Sequence, residues 1–389
     1  MRLTMYLTDM FEKVSLAASV TADTSLSDDI KNLIIEFQDD KIVFVGTSPF
    51  ITLKFALGEG TYTLEKNDNL DFMVIPTKEF LEFLRHFKNS AGTITIENQN
   101  NNTQIKSTVY VEGEPYYIYR TFDSAPIKTN TKNQIAFLES PTKTYDMKSA
   151  ELNYHLKTLF PVLTKDTTLY GYMTFGNNHV LVFNPYYTIV QNKKVIPNEV
   201  FSGIRLYYKY VNFLLKVLLP LSENIKVSRT DRHLCFNIPE RNLECFIVYD
   251  TKISPYQSYI DMFTQQHSVA TNRKSLETVL KRTIDLKDDL VTVKLITNTE
   301  NQNRLEISND RGIQCVAITQ VNNFKNYPNL SFNVYPKVLL MAMLNINKDI
   351  EDITLYYCPT GNNELIVVSD SSNEWFALLR VKTNSKSSS

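Results

Sequence analysis

Glycine is scarce in this chain. Ten glycines in 389 residues form no G-x-x-x-x-G-K-[ST], no G-x-G-x-x-G and no G-x-S-x-G, so neither a phosphate-cradling loop nor a nucleophile elbow is indicated. An excess of either charge is also missing. The formal net charge is -1, which excludes a global field that gathers nucleic acid but leaves room for a local basic surface balanced by acids elsewhere. Long apolar runs are lacking too. The longest, "VNFLLKVLLPL", is interrupted by Lys216 and is too short to span a bilayer. The opening "MRLTMYLTDMFEK" has no signal-peptide core, so no membrane association and a reducing cytoplasm are the expectation.

Metal and catalytic patterns are equally sparse. His86, His155, His179, His233 and His267 make neither H-x-x-x-H nor H-E-x-x-H spacing. The acidic clusters "SLSDDI", "KNDNLD" and "LKDDL" lack EF-hand spacing and read as turns. No cofactor, no metal and no enzymatic activity are expected. Cys235, Cys245, Cys315 and Cys358 form no C-x-x-C pair and read as buried, reduced thiols. Cys235 and Cys245 flank "FNIPERNLE", a spacing that suits two residues facing each other across a hairpin.

What is present is repetition. "FNVYPKVLLMAMLNI" (332–346) repeats the grammar of "FMVIPTKEFLEFLRHF" (72–87): a β-type run, a proline, then an apolar helical run. Proline sits well at the first turn of a helix and poorly inside a sheet, so both phrases read as strand, stop, helix. Phe80, Leu81, Phe83, Leu84 and Phe87 fall on one helical face. Around these phrases, alternating runs such as "NLIIEFQ", "KIVFVGTS" and "TLYGYMTF" read as strands.

The plan β-α-β-β-β is stated twice in each of three units of roughly 120–140 residues. The fold class is α+β, with six helices and about two dozen strands. Polar, aperiodic segments, "SAPIKTNTKN" (124–133) and "SPYQSYIDMFTQQ" (254–266), read as linkers. The units then span 1–125, 134–253 and 266–382, with 383–389 a polar tail. In the middle unit "VIPNEVFSG" (195–203) stands ahead of the strand–helix run "IRLYYKYVNFLLKVLL" and reads as an insertion.

This layout resembles the bacterial DNA polymerase III β subunit, the replicative sliding clamp. The resemblance covers nearly the whole chain and is carried by the two phrases above and by the closing "DITLYYC…ELIVVSD…WFALLRV". It implies three clamp domains per subunit and a head-to-tail homodimeric ring with helices lining the hole and sheets outside. Such a ring encircles double-stranded DNA and tethers DNA polymerase and clamp loader through short linear peptides. A ring that slides must hold phosphates without reading bases, which Lys and Arg do. The six expected helices carry roughly 14 basic against about 8 acidic residues. Candidates for the DNA-facing set are Lys78, Arg85 and Lys88; Lys148 and Lys157; Lys209 and Lys216; and Arg273, Lys274, Lys281 and Arg282. The same residues also suit ordinary solvated helix faces.

The resemblance also implies a partner-peptide cleft. Its walls fall on Phe183, Pro185, Tyr186, Tyr187 and Thr188, on Pro255 and Ile260 of the second linker, and on Ala377, Leu378, Leu379, Arg380 and Val381 of the last strand. Here the chain departs from the family pattern. "FNPYYT" stands where the family has T-D-G-H-R-L, and "LRV" stands where an apolar Met-Pro is usual. Such divergence points to a phage or other mobile replicon, and places the protein in bacterial cytoplasm or a phage-infected cell. Two alternatives stay open: a clamp-like ring tethering a transcription or repair machine, and a repeated-domain structural or carbohydrate-binding protein.

Overall fold

The computed structural model describes residues 2–21, 32–38, 41–65, 71–87, 90–99, 102–111, 114–123, 143–166, 168–185, 187–192, 196–251, 267–285, 290–296, 303–309, 312–322, 330–344, 350–360, 363–370 and 375–383. Both expected linkers, all but the first residue of the polar tail, Lys88, Tyr186, Pro255 and Ile260 lie outside them.

A strand, a helix and three strands follow one another six times. The first pass is Arg2–Tyr6, helix α1 (Leu7–Thr21), Asn32–Phe37, Ile42–Thr47 and Ile51–Ala56. After a short extra strand, Tyr62–Glu65, the second is Phe72–Pro76, α2 (Thr77–Arg85), Gly92–Gln99, Asn102–Val111 and Glu114–Asp123. The third is Thr144–Lys148, α3 (Ser149–Leu159), Tyr172–Phe175, His179–Phe183 and Tyr187–Asn192. A one-turn helix, α4 (Asn198–Phe201), fills the expected insertion. The fourth pass is Ile204–Tyr207, α5 (Tyr208–Phe213), Asn224–Arg229, His233–Ile238 and Leu243–Val248. The fifth is His267–Asn272, α6 (Arg273–Asp285), Val291–Ile296, Arg304–Asn309 and Gly312–Asn322. The sixth is Ser331–Val334, α7 (Pro336–Leu344), Asp352–Thr360, Asn363–Asp370 and Trp375–Thr383. Pro76 caps α2 and Pro336 opens α7, as the repeated phrase predicts.

The chain divides into two compact units: residues 1–151 with 213–249, and residues 152–212 with 250–389. In the first, a five-stranded sheet runs in the order Tyr62–Glu65, Arg2–Tyr6, Gly92–Gln99, Asn102–Val111, Glu114–Asp123. An eight-stranded sheet joins distant segments where Leu243–Val248 pairs antiparallel with Ile51–Ala56. Leu7, Met10, Val14, Ala17 and Thr21 are buried at helical spacing along α1, the apolar stripe of a core-facing helix. Contact is so close that a Cβ on Gly46 would stand 2.8 Å from the Ala17 Cα. In the second unit the strands form a twelve-stranded sheet. Tyr187–Asn192 pairs antiparallel with Trp375–Thr383, and α6 packs on α7.

Several expectations shift. Lys148 ends the strand Thr144–Lys148 instead of lying on a helix, because Tyr145 and Met147 turn inward in strand alternation while the helix starts at Ser149. "TLYGYMTF" is not one strand: Leu169–Gly171 form a 3-10 turn before Tyr172–Phe175. Cys235 pairs with Phe246 and Cys245 with Phe236. Paired residues share a face, so the two thiols point to opposite faces of the sheet. Cys235, Cys245 and Cys358 are buried, whereas Cys315 is exposed. Burial pushes the Cys235 thiol up to about 12, and burial likewise raises Cys245.

Candidate nucleic-acid interface and partner cleft

The predicted cations divide by position. On α2, Lys78 and Arg85 are exposed, but Glu79 and Glu82 are exposed beside them. Their spacing of three and four residues pairs opposite charges along one face, so α2 presents a mixed stripe. Lys157 on α3 and Lys209 on α5 are exposed, as is Lys216 in the π-helical turn Leu214–Leu218 that continues α5. Lys274, Lys281 and Arg282 are exposed on α6, with Lys281 Nζ 2.6 Å from Glu277 Oε1. Lys148 is exposed at its strand end, where its N–H donates to Glu151 Oε2 at 3.4 Å.

Arg273 departs from the expectation. It is only 5% exposed, and its Nη2 donates to the Met343 carbonyl at 3.1 Å. That carbonyl belongs to the last turn of α7, where carbonyls lack intrahelical donors. A guanidinium there completes the bonding and complements the negative end of the helix. Arg273 therefore braces α6 against α7 and does not face a ligand. On α1 the outward residues include Asp9, Glu12 and Lys13. Lys13 Nζ stands 5.7 Å above the Phe55 ring and Glu12 pairs with Arg241. On α7 they are Lys337, Met341 and Leu344. Exposed cations thus lie on α2, α3, α5 with its π turn, and α6, and α2 alone sets two exposed acids among them.

The cleft residues are brought together more tightly than a loop would allow. Tyr187 pairs with Leu379, Thr188 with Leu378 and Ile189 with Ala377. The strands His179–Phe183 and Tyr187–Asn192 pair as far as Phe183 with Thr188. Asn184 N–H donates to the Tyr187 carbonyl at 2.9 Å, so Phe183, Tyr187 and Thr188 are strand residues and exposed Pro185 sits in the turn. Arg380 and Val381 continue the last strand, paired with Leu365 and Glu364.

Ala377, Leu378, Leu379, Phe183, Tyr187 and Thr188 are all buried. Phe183 and Leu378 belong to one apolar cluster with Leu181, Val190, Tyr356, Cys358 and Val367. Half-buried Leu169 and Tyr170 lie against that cluster. These two are the surface residues that sequence reasoning missed, because "TLYGYMTF" reads as a continuous strand. The signal was Asp166 followed by Thr168, a side-chain turn pattern. Asp166 Oδ1 accepts from Thr168 N–H at 3.0 Å and from the Thr168 hydroxyl. The Thr168 hydroxyl bond, with smaller help from Thr164, holds the Asp166 carboxyl below its ordinary range. Among the described residues no group of three or more His, Cys, Asp or Glu is placed to hold a metal ion. None of the helices there is long and apolar enough to cross a membrane.

No family model matches the sequence, and no curated protein sequence does. Solved structures do match the fold. The DNA polymerase III subunit beta from Pseudomonas aeruginosa superposes with a TM-score of 0.68 at 13% identity, over 98% of this chain and 100% of that one. The DNA polymerase sliding clamp from Bacillus subtilis gives 0.68 at 15% identity, covering 98% and 99%. The β subunit from Thermotoga maritima gives 0.65 at 14%, covering 98% and 99%. This chain has the α+β fold of the bacterial DNA polymerase III β sliding clamps.

Proposed function

We propose that this protein is a DNA sliding clamp, a non-enzymatic processivity factor that closes as a homodimeric ring round duplex DNA. Its three domains per subunit are 1–125, 134–253 and 266–382, with six helices toward the hole and the sheets outside. The observation that carries the reading is the exposure of Lys157, Lys209, Lys216, Lys274, Lys281 and Arg282 on the helical segments of a fold that matches sliding clamps over 98% of this chain. Lysine and arginine so placed attract phosphates without selecting a sequence, which suits a ring that moves along DNA. Net charge near zero for the whole chain keeps that attraction local.

Ring closure has a surface to use. The hairpin Asn102–Val111 and Glu114–Asp123 ends its sheet, and among the described residues its outer strand has no further partner strand. Tyr116, Tyr117, Ile118 and Tyr119 are 37–57% exposed along it. An aromatic edge strand of this length invites another strand. We assign it to a second copy, which can offer the first half of Gly312–Asn322. That half pairs only with Arg304–Asn309, among the described residues, and carries exposed Ile313. The cleft at Leu169, Tyr170 and Pro185 takes an apolar anchor of a linear peptide from a polymerase or loader. The departures at "FNPYYT" and "LRV" imply a peptide preference of its own.

Negative-stain microscopy of the purified chain, paired with native mass measurement, tests the reading. Two-copy closed rings with a central hole are expected. Compact monomeric particles at every concentration would remove the clamp function while leaving the fold intact.

A further inference from the structure

The eight-stranded sheet has a second face, opposite α1. Gly46 and Leu53 are register partners, and Gly46 faces Ala17, so Lys54 points to the other side. There Lys54 pairs with Glu244, Glu244 with Asn237 and Asn237 with Lys226. The row crosses three inter-strand steps, roughly 14 Å of sheet. Beside it lies a recess of about 450 Å³ whose lining includes Lys41, Lys54 and Lys226, with Val43 and Ala56 contributing apolar surface. That volume is within the range of small-molecule sites, roughly 300–1,000 Å³.

Three features bear on what such a recess holds. Three ammonium groups arrive from separate segments, and among the described residues no guanidinium joins them. Lysine binds phosphate as a point charge and needs no planar, bidentate partner. Burial lowers the Lys54 pKa; Glu36 and Glu244 raise it, and Lys41 lowers it further. Lys41 and Lys54 are thus close enough to repel, a repulsion that Glu36 and Glu244 offset in the unliganded recess. The row is elongated; Glu244 stands within it, and Glu36, the register partner of Val43, faces the same side.

We propose that this recess binds a phosphoanhydride, either inorganic diphosphate or the polyphosphate of a small nucleotide, with its oxyanions held between the long Lys226 side chain on one side and those of Lys54 and Lys41 on the other. Asn237 and Asn242 donate to the remaining oxygens. Glu244 opposes the ligand and limits its affinity. The site lies wholly within one compact unit and does not depend on ring closure.

The test is calorimetric titration of the full chain at fixed ionic strength with sodium diphosphate, with ATP, and with citrate as a carboxylate control. Saturable binding of diphosphate or ATP is expected, with citrate weaker. Equal affinity for the first two would assign recognition to the phosphoanhydride alone. Tighter ATP binding would add the Val43–Ala56 floor as a seat for the rest of the nucleotide. Lys41→Gln with Lys226→Gln should weaken binding at least about ten-fold, and Glu244→Gln should strengthen it by about three-fold or more. Opposite signs separate a ligand contact from a folding defect. No saturable heat, citrate binding as tightly as diphosphate, or a double variant that binds as well as the parent would overturn the proposal.

Discussion

Single side chains decide several outcomes. His155 is 2% exposed, and its Nδ1 lies 2.8 Å from the Oε1 of Gln191, itself 1% exposed. The pair fastens α3 to the strand Tyr187–Asn192. His155→Leu removes one side of a buried hydrogen bond and should cost about 1–3 kcal/mol, read as a lower melting temperature. Equal melting of variant and parent would mean that Gln191 re-bonds elsewhere. The four cysteines differ in access. A thiol reagent should modify Cys315 in the native protein and all four after unfolding, checked by mass spectrometry. Asp166 gives a pH signature. Its carboxyl is depressed by the Thr168 hydroxyl, so the support it lends Thr168, the cap of the Leu169–Gly171 turn, is present above the unfolded value, about 3.9. That support is lost as pH falls through the lower folded value. The Thr168 amide resonance should therefore titrate with a midpoint below 3.9, and a midpoint at or above it would detach Asp166 from the turn.

At the scale of elements, the sequence was legible wherever a local rule applied. Proline marked the openings of α2 and α7, and spacing of three and four marked Phe80, Phe83 and Leu84 on the buried face of α2. The strand runs followed alternation. Legibility failed where a residue's role depends on a distant partner. Arg273 reads as a helix-surface cation, and only the position of the Met343 carbonyl reveals it as a brace. Leu378 reads as a cleft wall because its depth is set by Val190, Val367 and Tyr356, which belong to other strands. A charge placed at Leu378 would thus test packing more than peptide binding. Leu169 and Tyr170, half-buried against that cluster, are the cleaner probes of the proposed cleft. Close helix–sheet contact supplies another test. Gly46→Val would force side-chain atoms into the Ala17 backbone. Overpacking of that kind typically costs about 1–3 kcal/mol. A denaturant midpoint equal to the parent's would show that α1 can shift without loss.

For the whole molecule, the question is where charge sits. Cations outnumber acids along the six expected helices, yet α2 alternates sign and α1 carries Asp9 and Glu12. Interaction with duplex DNA should accordingly be uneven. Lys157→Gln with Lys274→Gln should lower the slope of log affinity against log salt by about 2, since each lost phosphate contact is worth roughly 0.9. Replacing Lys78 and Arg85 should change it less, because Glu79 and Glu82 already offset them. Anisotropy of a labelled duplex between about 50 and 200 mM salt measures both, and a larger change on α2 than on α3 and α6 would reverse the assignment. The division into two compact units was not legible at all, since a pairing such as Ile51–Ala56 with Leu243–Val248 leaves no local signature in either segment.

That pairing also sets a schedule for synthesis. The first compact unit takes residues 1–151 and then waits for 213–249, with 152–212 emerging between them. At ribosomal rates of about 5–20 residues per second, the Ile51–Ala56 strand stands without its Leu243–Val248 neighbour for on the order of ten to forty seconds. During that interval the nascent chain holds an incomplete sheet outside the tunnel. Chaperone capture and misassembly between neighbouring nascent chains should both concentrate in this window, before Tyr249 is free of the ribosome.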